Sequence, residues 1–430
     1  MRSVIKRIIS ISLFCILLAG AVCKCADVLE YKEARQKYTP FFDSKTNFDV
    51  IFLGTSHVWN HILPMELWRD HGIASYNWGY SNCTPAENYY LLQDILKYTK
   101  PKLIVFDVYG IAEYESYPNG KYRTDRIEQQ HVQFDSFPLW SKAKYQASKD
   151  VFDIYPNNSD FVCNFLMYHN RWSELDKNDF DYEITTEKGA HFLTGLGTAN
   201  FTPIDKSEKA EINTVCCSYY LKILDYCNTN NIKVLCVYIP FAADENQQRI
   251  ANTMGDLIKD YPNCSYVNML NENIIDYNTD VCPDNVHINY SGASKITTWF
   301  GNYLRKNYNL DNYKDNEYWL NDYNEYHKYK GEVITSLDEF TAYLVQLYDK
   351  DFSADVYIYD KDLAKNKNLQ QLLENAQIKP KYGKKDGNIC VRLVIKSNLT
   401  NEVIDDIGFE YVASGGGIDC MQLKKIAEKE

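Results

Sequence analysis

The strongest constraint on the fold is a set of short apolar runs without the polar–apolar alternation of a half-exposed strand. Residues 50–53, 103–107 and 234–239 are apolar at nearly every position. Such strands must be covered on both faces, as in a parallel sheet sandwiched between helices. Between the first two, residues 85–98 place Tyr89, Leu92, Ile95 and Leu96 on one helical face, and Pro101 ends the segment. Strand, helix and strand at this spacing predict a parallel α/β sheet. Shorter strands are expected at 74–77 and 265–269. Further helices are expected to start near Leu63 and to span 212–227, 247–261 and 292–308.

The character of the chain changes after about residue 330. Ser336 and Glu339 resemble a capping box opening a helix over 337–348. Strands are expected at 354–359, 389–395 and 403–409, with a helix at 363–376. The expected organisation is a main domain over 49–329 and a small accessory α/β domain over 330–430. An irregular insertion at about 113–206 interrupts the main domain, with one helix-like stretch near 160–175. Residues 27–48 read as a spacer or a first helix.

Residues 1–26 have the pattern of a targeting segment. Arg2, Lys6 and Arg7 precede a mostly apolar run from Ile8 to Cys23, closed by Lys24. The run is signal-peptide-like and slightly short for the roughly 20 residues of an ordinary membrane span. Cleavage and retention as an N-terminal membrane anchor are both compatible with it. Either way the basic end stays cytoplasmic and the remainder is extracytoplasmic.

A net charge of −12 argues against nucleic acid or an anionic membrane surface as a partner. The 36 tyrosines reflect either compositional bias or a sugar-facing surface. Export permits disulfides among the 13 cysteines, although Cys236, inside an apolar strand, reads as a small buried hydrophobe. No C-x-x-C pair occurs, which argues against a zinc site.

The first strand ends abruptly in Gly54, Thr55, Ser56 and His57. In doubly wound sheets, ligands bind at the carboxyl ends of the strands, where Ser56 falls. Ser56 is either the N-cap of the next helix or a nucleophile exposed on a strand-end turn. A nucleophile needs a base, and Asp284 and His287 supply one far along the chain, in a loop continuing through Ile288, Asn289 and Gly292. At this separation the carboxylate can reach the imidazole, fix its tautomer and stabilise its protonated form. His57 is too close in sequence to be the obvious base and reads as a packing or substrate contact. His169, Arg171 and Trp172 read either as structural or as the lining of a cleft in which the Arg holds a phosphate or carboxylate.

These blocks together resemble the SGNH (GDSL-type) serine hydrolases, with an early Ser and a late Asp-x-x-His. The similarity is closer to one branch: extracytoplasmic proteins similar to the lipoteichoic-acid D-alanylation protein and to polysaccharide O-acetylation partners of membrane-bound O-acyltransferases. It is carried by Leu53 to His57, Tyr76 to Gly79, Lys100 to Val105, Tyr168 to Trp172 and Val286 to Gly292, and it covers roughly residues 49–325. The resemblance implies a flavodoxin-like parallel sheet with helices on both faces. It implies Ser56 as nucleophile, His287 as base and Asp284 as orienting acid, with the backbone N–H groups of Ser56 and Gly79 binding an oxyanion. His57, Asn289, His169, Arg171 and Trp172 would contact substrate, and no metal or cofactor is implied. The expected function is an esterase or O-acyltransferase acting on a bacterial cell-surface polysaccharide or teichoic-acid-like polymer, with a membrane-bound O-acyltransferase as a candidate partner.

One departure stands out. The wider family carries a Gly-x-Asn-Asp block after the third strand, whereas this chain reads Phe106, Asp107, Val108, Tyr109 and Gly110. Losing one oxyanion donor costs ~2.7–4 kcal/mol of transition-state stabilisation. A non-catalytic binding or assembly protein on the same scaffold is therefore the alternative. On the expected domain boundary, a chain ending near Tyr329 folds and keeps any esterase activity.

Overall fold

The computed structural model of the 430-residue chain describes residues 2–44, 46–113, 137, 141–151, 164–181, 185–212, 215–384, 387–411 and 420–426. The main sheet has five parallel strands: β1 (Val50–Gly54), β2 (Ser75–Gly79), β3 (Leu103–Asp107), β4 (Lys233–Tyr238) and β5 (Cys264–Asn268). Their order is β2-β1-β3-β4-β5, the doubly wound order of flavodoxin-like sheets. Every residue of β1, β2 and β3 is buried, as the apolar runs of β1 and β3 require.

The register shows why both faces are covered. Phe52 pairs with Val105, and Leu53 pairs with Phe106, so Phe52 and Phe106 point to opposite sides of the sheet. Phe52 meets Phe300 of the Tyr290–Asn307 helix, 5.5 Å between ring centroids. Phe106 stacks on Tyr220 of the Val215–Thr229 helix, also at 5.5 Å. The strand order turns back between β1 and β3, so the crevice where such sheets hold ligands lies at the exit of β1.

At the N-terminus, α1 (Arg2–Leu29) is exposed along its apolar stretch and is long and apolar enough to cross a membrane. It is followed by α2 (Lys32–Phe42). Of the two readings of residues 27–48, the helix is the one found, and it belongs to the fold rather than spacing it. Phe41 lies 5.0 Å from both Tyr76 and Trp78 and 5.3 Å from Phe48. After β1 come α3 (Ser56–His61) and α4 (Pro64–His71), and after β2 comes α5 (Pro85–Tyr98). A capping box of Thr84 and Glu87, with Pro85 in the first turn, starts α5.

The described parts of the insertion lie against this frame. The Lys142–Val151 helix packs on α5, and the Asn164–Tyr168 helix packs on α1. Residues 160–163 of the expected helix-like stretch fall outside the described residues.

The second sheet comprises β6 (Phe352–Ile358), β7 (Lys381–Tyr382), β8 (Val391–Ser397), β9 (Val403–Tyr411) and β10 (Leu423–Lys425), in the order β10-β9-β8-β6-β7. Its pairs are antiparallel except β6 with β7. One expectation for this half is corrected. Ser336 does not open a helix: it ends the Glu317–Thr335 helix, its hydroxyl donating to Val333 O at 2.8 Å, and the next helix starts at Phe340. The boundary placed at residue 330 falls inside the Glu317–Thr335 helix, whose buried face includes Lys330.

Candidate active site

The turn after β1 is tight enough to expose one hydroxyl. Thr55, not Ser56, is the N-cap of α3: its Oγ1 accepts the His57 N–H at 3.3 Å and donates to Asp107 Oδ2 at 3.3 Å. Ser56 is therefore the first helical residue, and its side chain is not engaged in capping. His287 lies opposite. Its Nε2 is 2.9 Å from Ser56 Oγ, and its Nδ1 is 2.6 Å from Asp284 Oδ2. A carboxylate only accepts, so Nδ1 carries the proton and Nε2 is left to accept from the Ser56 hydroxyl. The other oxygen of Asp284 accepts the N–H groups of Val286 and His287, each at 2.9 Å. Burial works against ionising Asp284, but the backbone N–H and ring of His287 and the Val286 N–H hold its carboxyl below the usual range.

A buried layer of polar groups supports this line. His61, one turn after His57 on α3, accepts the Ile288 N–H on its Nε2 at 3.0 Å and so ties the His287 loop to the helix that carries Ser56. Sequence reasoning passed over His61; the signal was a second histidine four positions after His57, on the same face of a helix. Burial, then the charges of His57 and His287, hold the His61 imidazole well below its ordinary value. At the end of β3, Asp107 is buried and its carboxyl is pushed up to about 7. The Tyr109 N–H donates to it at 3.3 Å. Asp107 thus helps hold the Thr55 cap at the end of β3.

The remaining expected site residues fall elsewhere. His57 is fully buried, its ring 3.9 Å from Tyr109, 4.6 Å from Phe241 and 4.9 Å from His61. It is a packing residue, not a surface for substrate. Asn289 is also fully buried; its side chain caps the Tyr290–Asn307 helix at Gly292 N–H and donates to Thr279 O at 2.9 Å. Arg171 bonds Leu29 O, pairs with Asp179 at 3.2 Å and lies 3.9 Å from the Tyr31 ring centre, so it docks the end of α1. His169 is exposed with Nδ1 at 2.6 Å from Leu166 O, and Trp172 is 56% exposed.

Gly79 also departs from expectation. Its N–H donates to Asn77 Oδ1 at 2.9 Å, so it is not free to receive an oxyanion in this arrangement. A Cβ here would fall 2.4 Å from Trp59 N and 2.6 Å from Val58 Cβ. Glycine is required because α3 packs directly on β2.

Among the described residues no cluster of His, Cys, Asp or Glu is arranged to hold a metal ion.

No family model and no curated protein matches the chain. Among solved structures it is similar to a protein of Streptococcus pneumonia described as a platelet activating factor, with 11% identity and TM-score 0.30 over 68% of this chain and 99% of that one. It is also similar to a family 3 carbohydrate esterase of Clostridium thermocellum, with 10% identity and TM-score 0.29 over 61% and 98%. A gut microbial diltiazem-metabolizing enzyme aligns with 14% identity and TM-score 0.20 over 60% and 47%. At superpositions this low, the fold is defined by its own strand order and register.

Proposed function

We propose that this chain is an extracytoplasmic serine esterase or O-acyltransferase of SGNH type. It forms or cleaves esters on a cell-surface polysaccharide or teichoic-acid-like polymer through an acyl-Ser56 intermediate. The carrying observation is the unbroken line from Ser56 Oγ through both ring nitrogens of His287 to Asp284. Ser56 Oγ attacks the ester carbonyl as its proton passes to His287 Nε2, and the Asp284 carboxylate stabilises the imidazolium. His287 then returns that proton to the departing alcohol oxygen, leaving acyl-Ser56. Water or a second hydroxyl, deprotonated by the same nitrogen, attacks the acyl carbon and releases Ser56. Export rests on the basic start and apolar run of α1, and a membrane-bound O-acyltransferase is the partner that would supply or share acyl groups.

The engaged Gly79 N–H and the absence of an Asn after β3 favour a second reading, a surface binding or assembly protein retaining the scaffold. A fluorophosphonate probe followed by peptide mass spectrometry separates the two. The esterase reading expects adduct on Ser56, lost in Ser56→Ala and strongly reduced in His287→Ala. For ester hydrolysis, Ser56→Ala and His287→Ala should fail to a similar degree, and the double variant should lose little more, because members of one relay are not additive. An unlabelled Ser56 would favour the scaffold role.

A further inference from the structure

The fold holds a feature that the relay does not use. A cavity of about 630 Å³ opens between α3, Tyr80, residues 185–191 and the Glu317–Thr335 helix, within the size range of ligand-holding clefts. Trp59 lines it and stands less than one helical turn from Ser56 on α3. Tyr80, whose N–H donates to Gly54 O at 3.3 Å, stacks on Trp59 at 5.3 Å with 5° between the planes. His191 leans on Trp59 at 5.5 Å, and its N–H donates to Trp59 O at 3.0 Å. An aromatic wall thus begins next to the nucleophile.

The polar part of the wall is Glu187. The chain around it runs along the outer edge of β2, where the Asn77 N–H donates to Lys188 O at 2.9 Å. Gly189 has φ +82°, and a Cβ there would lie 2.2 Å from Asn77 O, so only glycine allows this approach. The result is a carboxyl group 4% exposed in the cavity wall, with Oε1 lacking a hydrogen-bond partner among the described residues. Burial pushes this carboxyl up to about 8, against the pull of Lys37. Buried polar atoms are rarely left unpartnered unless something outside the chain supplies the partner. Lys37 donates to Gly79 O and Gly189 O, with its ammonium 5.7 Å from the Trp59 ring centre and 5.3 Å from that of Tyr80. A cationic ligand would meet this ammonium, and an anionic one would meet Glu187, Glu325 and Glu332. The mixed wall suits a neutral group with hydroxyl donors and an apolar face.

We propose that this cavity is the subsite for a neutral glycosyl unit of the acylated polymer, its ring against Trp59 and a hydroxyl donating to the Glu187 carboxyl group. The assignment rests on the acyl-Ser56 reading for its link to catalysis, but binding can be measured without it. The test titrates chitohexaose and cellohexaose into the full chain carrying Ser56→Ala, in detergent, with calorimetry and tryptophan fluorescence as readouts. Saturable binding by at least one of them is expected, weakened roughly tenfold or more by Glu187→Leu, which removes the carboxyl group while keeping its bulk. A second variant, Trp59→Ala, should weaken binding and reduce the fluorescence change. Absence of binding up to about 10 mM, affinities unchanged in both variants, or preferential binding of inorganic phosphate or tetramethylammonium would each overturn the subsite. The probe experiment on Ser56 reads the chemistry separately, so the two readings fail in different measurements.

Discussion

His61 is the residue through which the relay depends on α3 for more than its serine. Its Nε2 accepts the Ile288 N–H, one residue beyond His287. Replacing His61 by Phe keeps the ring but leaves that buried N–H without an acceptor, at a cost of about 1–3 kcal/mol. The loop should then move His287 relative to Ser56 Oγ. For an ester such as p-nitrophenyl acetate we expect kcat to fall roughly tenfold or more with little change in KM, since a positioning residue acts on the reacting geometry rather than on binding. A kcat within about twofold of the unaltered chain would mean that the loop is held without His61. The two buried histidines also set an acid limit. Burial is the first cause holding His57 and His61 well below 6.5, followed by neighbouring imidazoles. The unfolded chain takes up these protons near 6.5 and the folded chain does not, so stability is full above that value and declines as pH falls below it. Melting temperatures between about pH 7.5 and pH 5 should show this slope, and His57→Phe should flatten it. An unchanged slope in His57→Phe would place the acid sensitivity elsewhere.

At the scale of elements, the close approach of α3 to β2 fixes where Ser56 sits. Gly79→Ala puts a methyl into Trp59 N and Val58, so α3 must lift. Overpacking of this kind costs roughly 1–3 kcal/mol. We expect a lower melting temperature together with a lower kcat; a variant with native stability and native kcat would mean that α3 tolerates displacement. The strands themselves were legible in sequence: β3 has the expected bounds, and the other four shift by one or two residues, because a strand covered on both faces writes its burial into consecutive positions. That Ser56, Asp284 and His287 could be singled out, and do lie together, reflects that a strand exit and an Asp-x-x-His loop are local patterns. The rest was not local. The hydrogen bond from Gly79 to Asn77, the burial of His57 behind Tyr109 and Phe241, and the docking of Arg171 on the end of α1 depend on which segments meet in space. The Ser336 pattern misled for a related reason: a serine three residues before a glutamate marks a helix start only if no helix is ending there, and one is.

On the scale of the whole molecule, the second half is fastened to the segments that flank the Asp284–His287 loop. Lys330 is fully buried among Glu66, Asp349 and Asp351, and Arg69 of α4 reaches Asp349 at 2.9 Å and Asp351 at 3.1 Å. Burial disfavours the Lys330 ammonium, but Asp349, Glu66 and Asp351 together hold it above its ordinary value. Tyr290 and Ser294, on the helix that follows the His287 loop, both donate to Glu66. From the other side, Gln371 donates to Asp276 at 2.9 Å, and Asn375 meets Ser291 at 3.2 Å and Lys295 at 2.7 Å. A chain ending at residue 329 therefore loses Lys330, Asp349 and Asp351 together and strands Glu66 and Arg69 in what had been a buried network. Breaking one partner of a buried pair alone costs roughly 3–5 kcal/mol, a large part of a typical domain's stability. Against the expectation from sequence that such a chain folds and keeps activity, the prediction is that it aggregates or lacks a cooperative unfolding transition. Lys330→Ala in the full chain should lower the melting temperature sharply, and Lys330→Met, which fills the space without a charge, should still leave the acidic groups uncompensated. A soluble 1–329 chain with a sharp transition and Ser56 still labelled by the probe would show that the main sheet stands alone and that the buried charges only join two independent units.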